Sequence, residues 1–172
     1  QVPLIYVNQI GANDNLIFDG NSFVLDKNGT KIKKLKSFSE DFSSWEVDQS
    51  NFEKNEFESS EISSIFDALV LGVRDYARKC GFKTALIGLS GGIDSALVSV
   101  IATAALGSEN IYCVSMPSKW SSTHSKSDAI ALAKRLCINL NTISIKKIMS
   151  SVEDSFMKSL SLTTEGITNQ NI

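Results

Sequence analysis

The segment over residues 85–106 constrains the fold more than any other part of the chain. A short apolar run over 85–89 is followed by a polar turn, Ser90-Gly91-Gly92, and then by an apolar stretch that predicts a helix over 96–106. A short apolar run bounded by turn residues is typical of a buried parallel strand. Strands that alternate with helices imply βαβ crossovers, so the segment predicts an α/β fold with a parallel sheet.

The turn after this strand has the properties of an anion-binding site. The first amides of a helix lack partners within the helix, and the helix dipole places positive partial charge at the same end. Gly91 and Gly92 lack Cβ atoms, so the backbone can approach a large anion closely. Ser90 and Ser95 add hydroxyl donors, and Asp94 adds a carboxylate beside the expected phosphate, where Mg²⁺ needs an oxygen ligand. The residues leave two alternatives open, a purely structural glycine turn and a helix N-cap role for Asp94.

The turn differs from the two commoner nucleotide loops. No lysine follows Gly92, which excludes a P-loop, and the glycine spacing does not fit the dinucleotide fingerprint. The pattern Ser-Gly-Gly-Ile-Asp-Ser resembles the pyrophosphate loop of the ATP pyrophosphatase superfamily, whose members split ATP between its α and β phosphates. The resemblance implies that Asp94 is a Mg²⁺ ligand. It also implies contacts to ATP from the stretch Gly88, Leu89, Ser90, Gly91, Gly92, Ile93, Asp94 and Ser95.

The first 60 residues differ in pattern from the remainder. Residues 1–38 predict β structure, with strands over 4–8, 16–19, 22–25 and 30–35 and a hairpin turn at Asp26-Lys27-Asn28-Gly29. The lysines of the last strand are interpreted as the solvated face of an edge strand rather than a basic binding patch. Residues 39–60 are rich in Ser, Asp, Glu and Asn, and they predict a connecting segment with a domain boundary inside it.

After this segment the pattern becomes α/β. The periodicity predicts a helix that ends at Gly81, strands over 85–89, 111–116 and 141–145, and helices over 96–106, 127–137 and 148–160. We expect helices on both faces of the sheet, and a ligand site beyond the carboxyl ends of the strands, walled by a polar loop over 117–125. The apolar face of the first helix consists of Ile62, Ile65, Phe66, Leu69, Val73 and Tyr76.

Charge and cysteine content limit the other possibilities. A net charge of −2 gives no electrostatic case for binding nucleic acid or an anionic membrane, and no apolar run has the length of a membrane span. The three cysteines form no C-x-x-C pair and predict buried free thiols in a reducing cytosol. His124, the single histidine, is interpreted as a solvated loop residue rather than a phosphate ligand. The way the chain begins and ends leads us to expect a fragment with sequence missing on both sides.

Three further segments resemble NAD synthetases of the long, glutamine-dependent form. The run Met116-Pro117-Ser118-Lys119-Trp120-Ser121-Ser122 is similar to the loop after the second strand of the synthetase domain. Residues 165–172 are similar to a segment next to the dinucleotide substrate, although Asn169 and Gln170 stand where the family has acidic residues. Residues 6–11, 14–20 and 22–23 resemble the last strands of a nitrilase-like glutaminase domain.

This resemblance implies a domain order and a reaction. Residues 1–38 would end a nitrilase-like glutaminase domain, 39–60 would form a linker, and 61–172 would begin a Rossmann-like ATP pyrophosphatase domain. The implied reaction is the ATP- and Mg²⁺-dependent amidation of deamido-NAD through an acyl-adenylate, with ammonia from glutamine and with Asn171 contacting the substrate. The resemblance further implies a cytoplasmic homo-oligomer, with no glutaminase catalytic residue inside this chain. The alternatives are another enzyme with this loop, such as a GMP synthetase, an asparagine synthetase or a tRNA-modifying enzyme, and an inactive nucleotide-binding module.

Overall fold

The computed structural model of the chain describes residues 2–46 and 60–160. The chain divides into two units, Gln1–Phe82 and Lys83–Ile172. Residues 47–59 and 161–172 lie outside the described ranges, and with them lie most of the predicted linker and Asn171. Within the described ranges no helix combines the length and the apolar character needed to cross a membrane.

The first unit begins with five short strands. β1 (Leu4–Tyr6), β4 (Phe23–Leu25) and β5 (Lys31–Lys34) form an antiparallel sheet in the order β1-β4-β5, while β2 (Ile10–Asn13) pairs with β3 (Leu16–Asp19). The predicted hairpin between β4 and β5 is confirmed. Asp26 Oδ1 closes its turn by accepting bonds from the amides of Asn28 and Thr30, both at 2.8 Å. The lysine-rich β5 lies at the sheet edge, as predicted.

Strand β2 is absent from the elements that the sequence predicts. Gly11 interrupts the apolar pattern there, and the tight turn that follows uses Asp14 at a φ of +52°. As a result β3 pairs with the strand before it and not with the strand that follows the Gly20 turn. The pairing is decided by the turn at Asp14, whereas the turn at Gly20, with a φ of +72°, links strands of two different sheets.

Helix α1 (Glu61–Cys80) has the predicted C-terminus but buries a different face. Ser60 Oγ accepts a bond from the amide of Ser63 at its start, and Gly81 ends it at a φ of +75°. The helix packs against β2 and β3. Its buried side chains are Val70, Leu71, Asp75 and Ala77, whereas the apolar face noted in the sequence is largely exposed at Ile62, Ile65, Leu69, Val73 and Tyr76.

The second unit contains the predicted parallel sheet. β6 (Ala85–Gly88), β7 (Ile111–Ser115) and β8 (Asn139–Thr142) are parallel and lie in the order β6-β7-β8. They alternate with α2 (Ile93–Leu106), a short 3₁₀ turn (Ser108–Asn110), α3 (Thr123–Leu136) and α4 (Lys146–Leu160). The core consists of Ile87, Leu89, Ala102, Ile111, Cys113, Ala129, Ala133 and Ile138.

The two helices that connect these strands, α2 and α3, pack on the same face of the sheet, and the expectation of helices on both faces stays a prediction. The sheet residues Ile87 and Cys113 point to one face, and both Ala102 of α2 and Ala129 of α3 join them in the same cluster. The cause is the strand order. Because β6, β7 and β8 follow one another in a single direction, successive right-handed crossovers place their helices on the same face.

Two smaller predictions are corrected in this unit and at its border. Helix α3 begins at Thr123, with Ser122 Oγ accepting from the amide of Ser125, so His124 is an exposed helical residue and not a loop residue. All three cysteines are free as predicted, but only Cys113 is buried, while Cys80 and Cys137 are exposed at helix ends. Burial raises the pKa of the Cys113 thiol above its ordinary value, although the nearby Ser99 hydroxyl opposes this.

Candidate anion-binding site

The residues predicted to contact ATP meet at the carboxyl end of β6. Leu89 extends the strand by one residue, because its amide donates to the carbonyl of Val114 at 2.9 Å, and its side chain is fully buried. Gly92 is the N-cap of α2, with an extended backbone, and the helix starts at Ile93. The predicted strand, turn and helix therefore exist in this order, with the helix starting three residues earlier than predicted.

Two serine hydroxyls determine the shape of the turn. The hydroxyls of Ser90 and Ser95 lie 3.0 Å apart. Ser95 Oγ accepts from the amide of Ser90 at 3.2 Å and donates to the carbonyl of Gly92 at 3.0 Å, while Ser90 Oγ accepts from the amide of Gly92 at 3.1 Å. The hydroxyls that the sequence predicts as ligand donors thus bond within the turn, and they act first as positioning groups.

The first turn of α2 supplies donors that face away from the helix body. The amides of Ile93, Asp94 and Ser95 have no carbonyl one turn earlier within the helix, and the helix dipole makes this end positive. These residues lie at the exposed carboxyl end of the sheet, where an anion can reach them. The arrangement can bind a phosphate chain through backbone donors without using a lysine.

Asp94 is the second residue of α2 and is exposed. The N-cap position belongs to Gly92, so the alternative of Asp94 as N-cap is wrong. Its negative charge in the first turn interacts favourably with the helix dipole. Within residues 2–46 and 60–160 no cluster of three or more His, Cys, Asp or Glu side chains could hold a metal ion.

Gly91 is constrained by its backbone and by its surroundings. Its φ is +87°, which L side chains rarely adopt, and a Cβ at this position would lie 2.0 Å from the carbonyl oxygen of Ser125. The first turn of α3 therefore packs directly against the glycine turn and forms one wall of the site. The sequence predicts a wall from the 117–125 segment, but the structure builds it from helical backbone rather than from a loop.

The loop after β7 is fixed by bonds within itself and by bonds to the segment before α4 and to α4. The amide of Ile145 donates to the carbonyl of Pro117 at 3.3 Å, and the Ser118 amide donates to Ser121 Oγ at 2.9 Å. Lys119 Nζ lies 2.5 Å from Glu153 Oε1 of α4 and 5.2 Å from the ring centroid of Trp120. The sequence pattern does not indicate this ion pair, since its partners are separated along the chain by β8.

A groove that sequence reasoning missed runs from the turn along α2 and α3. It encloses about 290 Å³. The charged side chains of its lining are Asp128 and Arg135, which lie seven residues, or two helical turns, apart on α3. Its lining consists of Gly91, Ala96, Asp128, Ala129, Ala131, Leu132 and Arg135.

Comparison with known proteins finds a family match over a range that includes the residues of this turn. Residues 65–172 match the family model described as NAD synthase. The glutamine-dependent NAD(+) synthetase of Synechocystis sp. is 44% identical over 99% of this chain, which covers 32% of that protein. The chain thus spans about a third of the length of such relatives.

Two solved structures share the fold. The glutamine-dependent NAD+ synthetase of Acinetobacter baumannii, solved in complex with adenosine diphosphate, is 34% identical with a TM-score of 0.84, over 98% of this chain and 33% of that one. The NH3-dependent NAD synthetase of Campylobacter jejuni, in complex with the nitrate ion, is 28% identical with a TM-score of 0.53, over 65% of this chain and 46% of that one.

Proposed function

Since the chain belongs to the NAD synthase family, we propose that the intact protein amidates deamido-NAD to NAD with ATP and with ammonia derived from glutamine. The observation that carries the proposal is the turn after β6, where Gly91, the Ser90–Ser95 hydroxyl pair and the first amides of α2 converge. A relative of the same fold was solved with adenosine diphosphate, which supports nucleotide binding by this chain. The 44% identity to a glutamine-dependent relative over 99% of this chain supports glutamine as nitrogen donor.

The proposed reaction has two steps. A carboxylate oxygen of the nicotinate group attacks the α-phosphorus of ATP, and the bond between this phosphorus and the bridging oxygen to the β-phosphate breaks. Ammonia then attacks the acyl carbon and loses a proton, and the bond to AMP breaks. The products are NAD, AMP and pyrophosphate.

In this reaction the turn binds the part of ATP that leaves. Negative charge grows on the departing pyrophosphate, and fixed amide donors stabilise such charge without having to reorient. We assign the ATP contacts to Gly88, Leu89, Ser90, Gly91, Gly92, Ile93, Asp94 and Ser95. We also propose that Asn171 contacts deamido-NAD.

The residues present are compatible with Mg²⁺. Mg²⁺ usually binds through one or two carboxylates together with substrate phosphates and several waters, which fits the exposed carboxylate of Asp94 beside an anion site. When bound, Mg²⁺ would neutralise charge on the phosphates. Asp94 would hold it, and the turn would orient the phosphates.

The remaining parts of the proposal concern the intact protein. The nitrilase-like glutaminase catalytic residues are assigned to sequence outside this chain, and the chain alone is proposed to lack glutaminase activity. We further propose a cytoplasmic homo-oligomer that acts on small-molecule substrates.

The experiment is an assay of the intact protein with ATP, Mg²⁺, glutamine and deamido-NAD. We expect NAD, AMP and pyrophosphate in equal amounts, and exchange of labelled pyrophosphate into ATP that requires deamido-NAD. Formation of ADP, or amidation of xanthosine monophosphate instead of deamido-NAD, would contradict the proposal. An enzyme that binds ATP and forms no product would support the inactive module.

A further inference from the structure

A buried carboxylate on α1 bonds to a strand far away in the sequence. Asp75 is buried, and its Oδ2 accepts the amide of Ala12 in β2 at 2.9 Å across 63 residues of sequence. Lys79, one turn later on α1, donates to the carbonyl oxygen of Ala12. Both polar backbone groups of Ala12 therefore bond to the helix, and we call this arrangement the Ala12 clamp.

The surroundings of the clamp favour a specific contact. Gly11 has a φ of +138°, and a Cβ there would lie 3.1 Å from Asp75 Oδ2, so the absence of a side chain lets the carboxylate reach the strand. The other oxygen, Oδ1, lies 3.4 Å from a guanidinium nitrogen of Arg78. A buried charge is costly unless it is paired, and here the carboxylate has a backbone donor on one oxygen and a cation on the other.

The clamp joins two parts of the chain that the comparisons separate. Asp75 and Lys79 lie inside the 65–172 match to NAD synthase, whereas Ala12 lies before it. The ammonia-dependent relative covers 65% of this chain, while the two glutamine-dependent relatives described above cover 99% and 98%. Helix α1 in turn leads through residues 81–84 into β6 and the anion site.

We propose that Asp75 is a positioning residue which, with Lys79, fixes α1 to the β2–β3 hairpin so that ammonia released from glutamine reaches the acyl-adenylate. The proposal rests on the proposed function. Transfer of ammonia from the glutaminase site to the adenylate depends on how the residues before the 65–172 match and those inside it are held together. Free ammonia at saturating concentration, in contrast, reaches the adenylate from solvent. Loss of the clamp should therefore lower the rate of NAD formation with glutamine and leave the rate with free ammonia nearly unchanged.

The test compares the two nitrogen sources in the intact protein. For Asp75→Ala we expect the ratio of glutamine-supported to ammonia-supported NAD formation to fall about tenfold, as is typical for the loss of a hydrogen bond to a buried charge. The ammonia-supported kcat should stay within about twofold, because the anion site is not touched. Lys79→Met should lower the ratio in the same direction. Asp75→Asn should largely restore it, since its amide oxygen can still accept the Ala12 amide.

Two further measurements keep the result unambiguous. Asp67→Ala, which removes an exposed carboxylate from the same helix, is the matched control and should leave the ratio unchanged. Hydrogen exchange of the Ala12 backbone amide should be faster in Asp75→Ala than in the wild type, and it should be unchanged in Asp67→Ala. An unchanged ratio in Asp75→Ala would overturn the proposal, as would an equal loss of both rates together with a lower melting temperature. Failure of the wild-type protein to form NAD from either nitrogen source would instead refute the proposed function.

Discussion

Gly91 and Ser125 approach so closely that a single methyl group on the glycine would lie 2.0 Å from the serine carbonyl oxygen. The turn after β6 and the first turn of α3 are therefore packed backbone against backbone. No side-chain rearrangement can relieve a substitution at this position, because the neighbouring atom belongs to the main chain of a helix. At the carboxyl edge of the sheet, the anion site thus begins at a direct contact between two backbone segments.

Replacement of Gly91 by alanine should abolish ATP binding. The methyl group requires α3 to move away from the turn, and the positive φ adds strain of about 1–2 kcal/mol. Isothermal titration of the intact protein with ATP should show no binding above background. Gly29→Ala is the matched control, since Gly29 has a φ of +85° but an added methyl group would meet no atom of the described residues within 4 Å beyond its chain neighbours. It should cost stability without weakening ATP binding, and equal ATP affinity in both variants would contradict the prediction.

Replacement of Asp94 by asparagine should weaken the binding of Mg²⁺ beside the nucleotide. Without the carboxylate we expect turnover to fall at least about tenfold and half-maximal activity to need more Mg²⁺. Loss of the favourable charge at the helix N-terminus should reduce stability by only about 0.3–1 kcal/mol, so the fold remains. Initial rates over a Mg²⁺ titration give the measurement. Asp154→Asn, an exposed acid on α4, should leave the titration unchanged, and the same curve for Asp94→Asn would refute the metal role.

The three thiols should differ in reactivity. A disulfide reagent should label Cys80 and Cys137 quickly, because they are exposed, and should label Cys113 only on unfolding. Fast labelling of all three thiols in the folded protein would contradict the structure.

Burial of Cys113 also predicts a pH effect on stability. The pKa of this thiol is raised above its ordinary value of 9.0 in the folded state. The folded state therefore holds the proton more tightly than the unfolded state, and the resulting stability is present below pH 9 and is lost as pH rises through the higher folded pKa. The difference in melting temperature between wild type and Cys113→Ala should shift against the wild type above pH 9. A difference that is constant from pH 7 to 10.5 would contradict this.

Asp26 in the β4–β5 turn should give the stability of the fold the opposite pH dependence. The backbone bond from Thr30 is the main cause that holds the pKa of Asp26 below its ordinary value of 3.8. A lowered folded pKa contributes stability above the ordinary value and loses it as pH falls through the folded one. Asp26→Ala should therefore melt below the wild type at pH 6, and the gap should narrow as pH falls below 3.8. Melting curves of both proteins at pH 6 and pH 3 measure it.

Local features of this fold could be predicted from the sequence, and features that depend on distant pairing could not. The turn over 90–95 is predictable because strand, glycines and helix are contiguous, and Gly81 ends α1 for the same reason. The early start of α3 is not, because Ser122 is one of several serines that could cap it. The one-sided placement of α2 and α3 follows from strand order, which no local pattern encodes.

The buried face of α1 illustrates the same limit. Periodicity favours the face with Ile62 and Tyr76, but the helix packs its other face against β2 and β3, where Asp75 accepts the backbone amide of a residue 63 positions away. A carboxylate counts as a polar residue in any periodic pattern, and only its partner makes it a buried one.

The hydroxyl pair of Ser90 and Ser95 has a thermodynamic consequence for whatever anion binds the turn. Each hydroxyl already bonds to the backbone of the turn, so the loop holds its shape through its own contacts. An anion that binds there does not have to order the loop, and the entropy that ordering would cost is lost during folding instead. Replacing either serine by alanine would move that entropic cost back into the binding step.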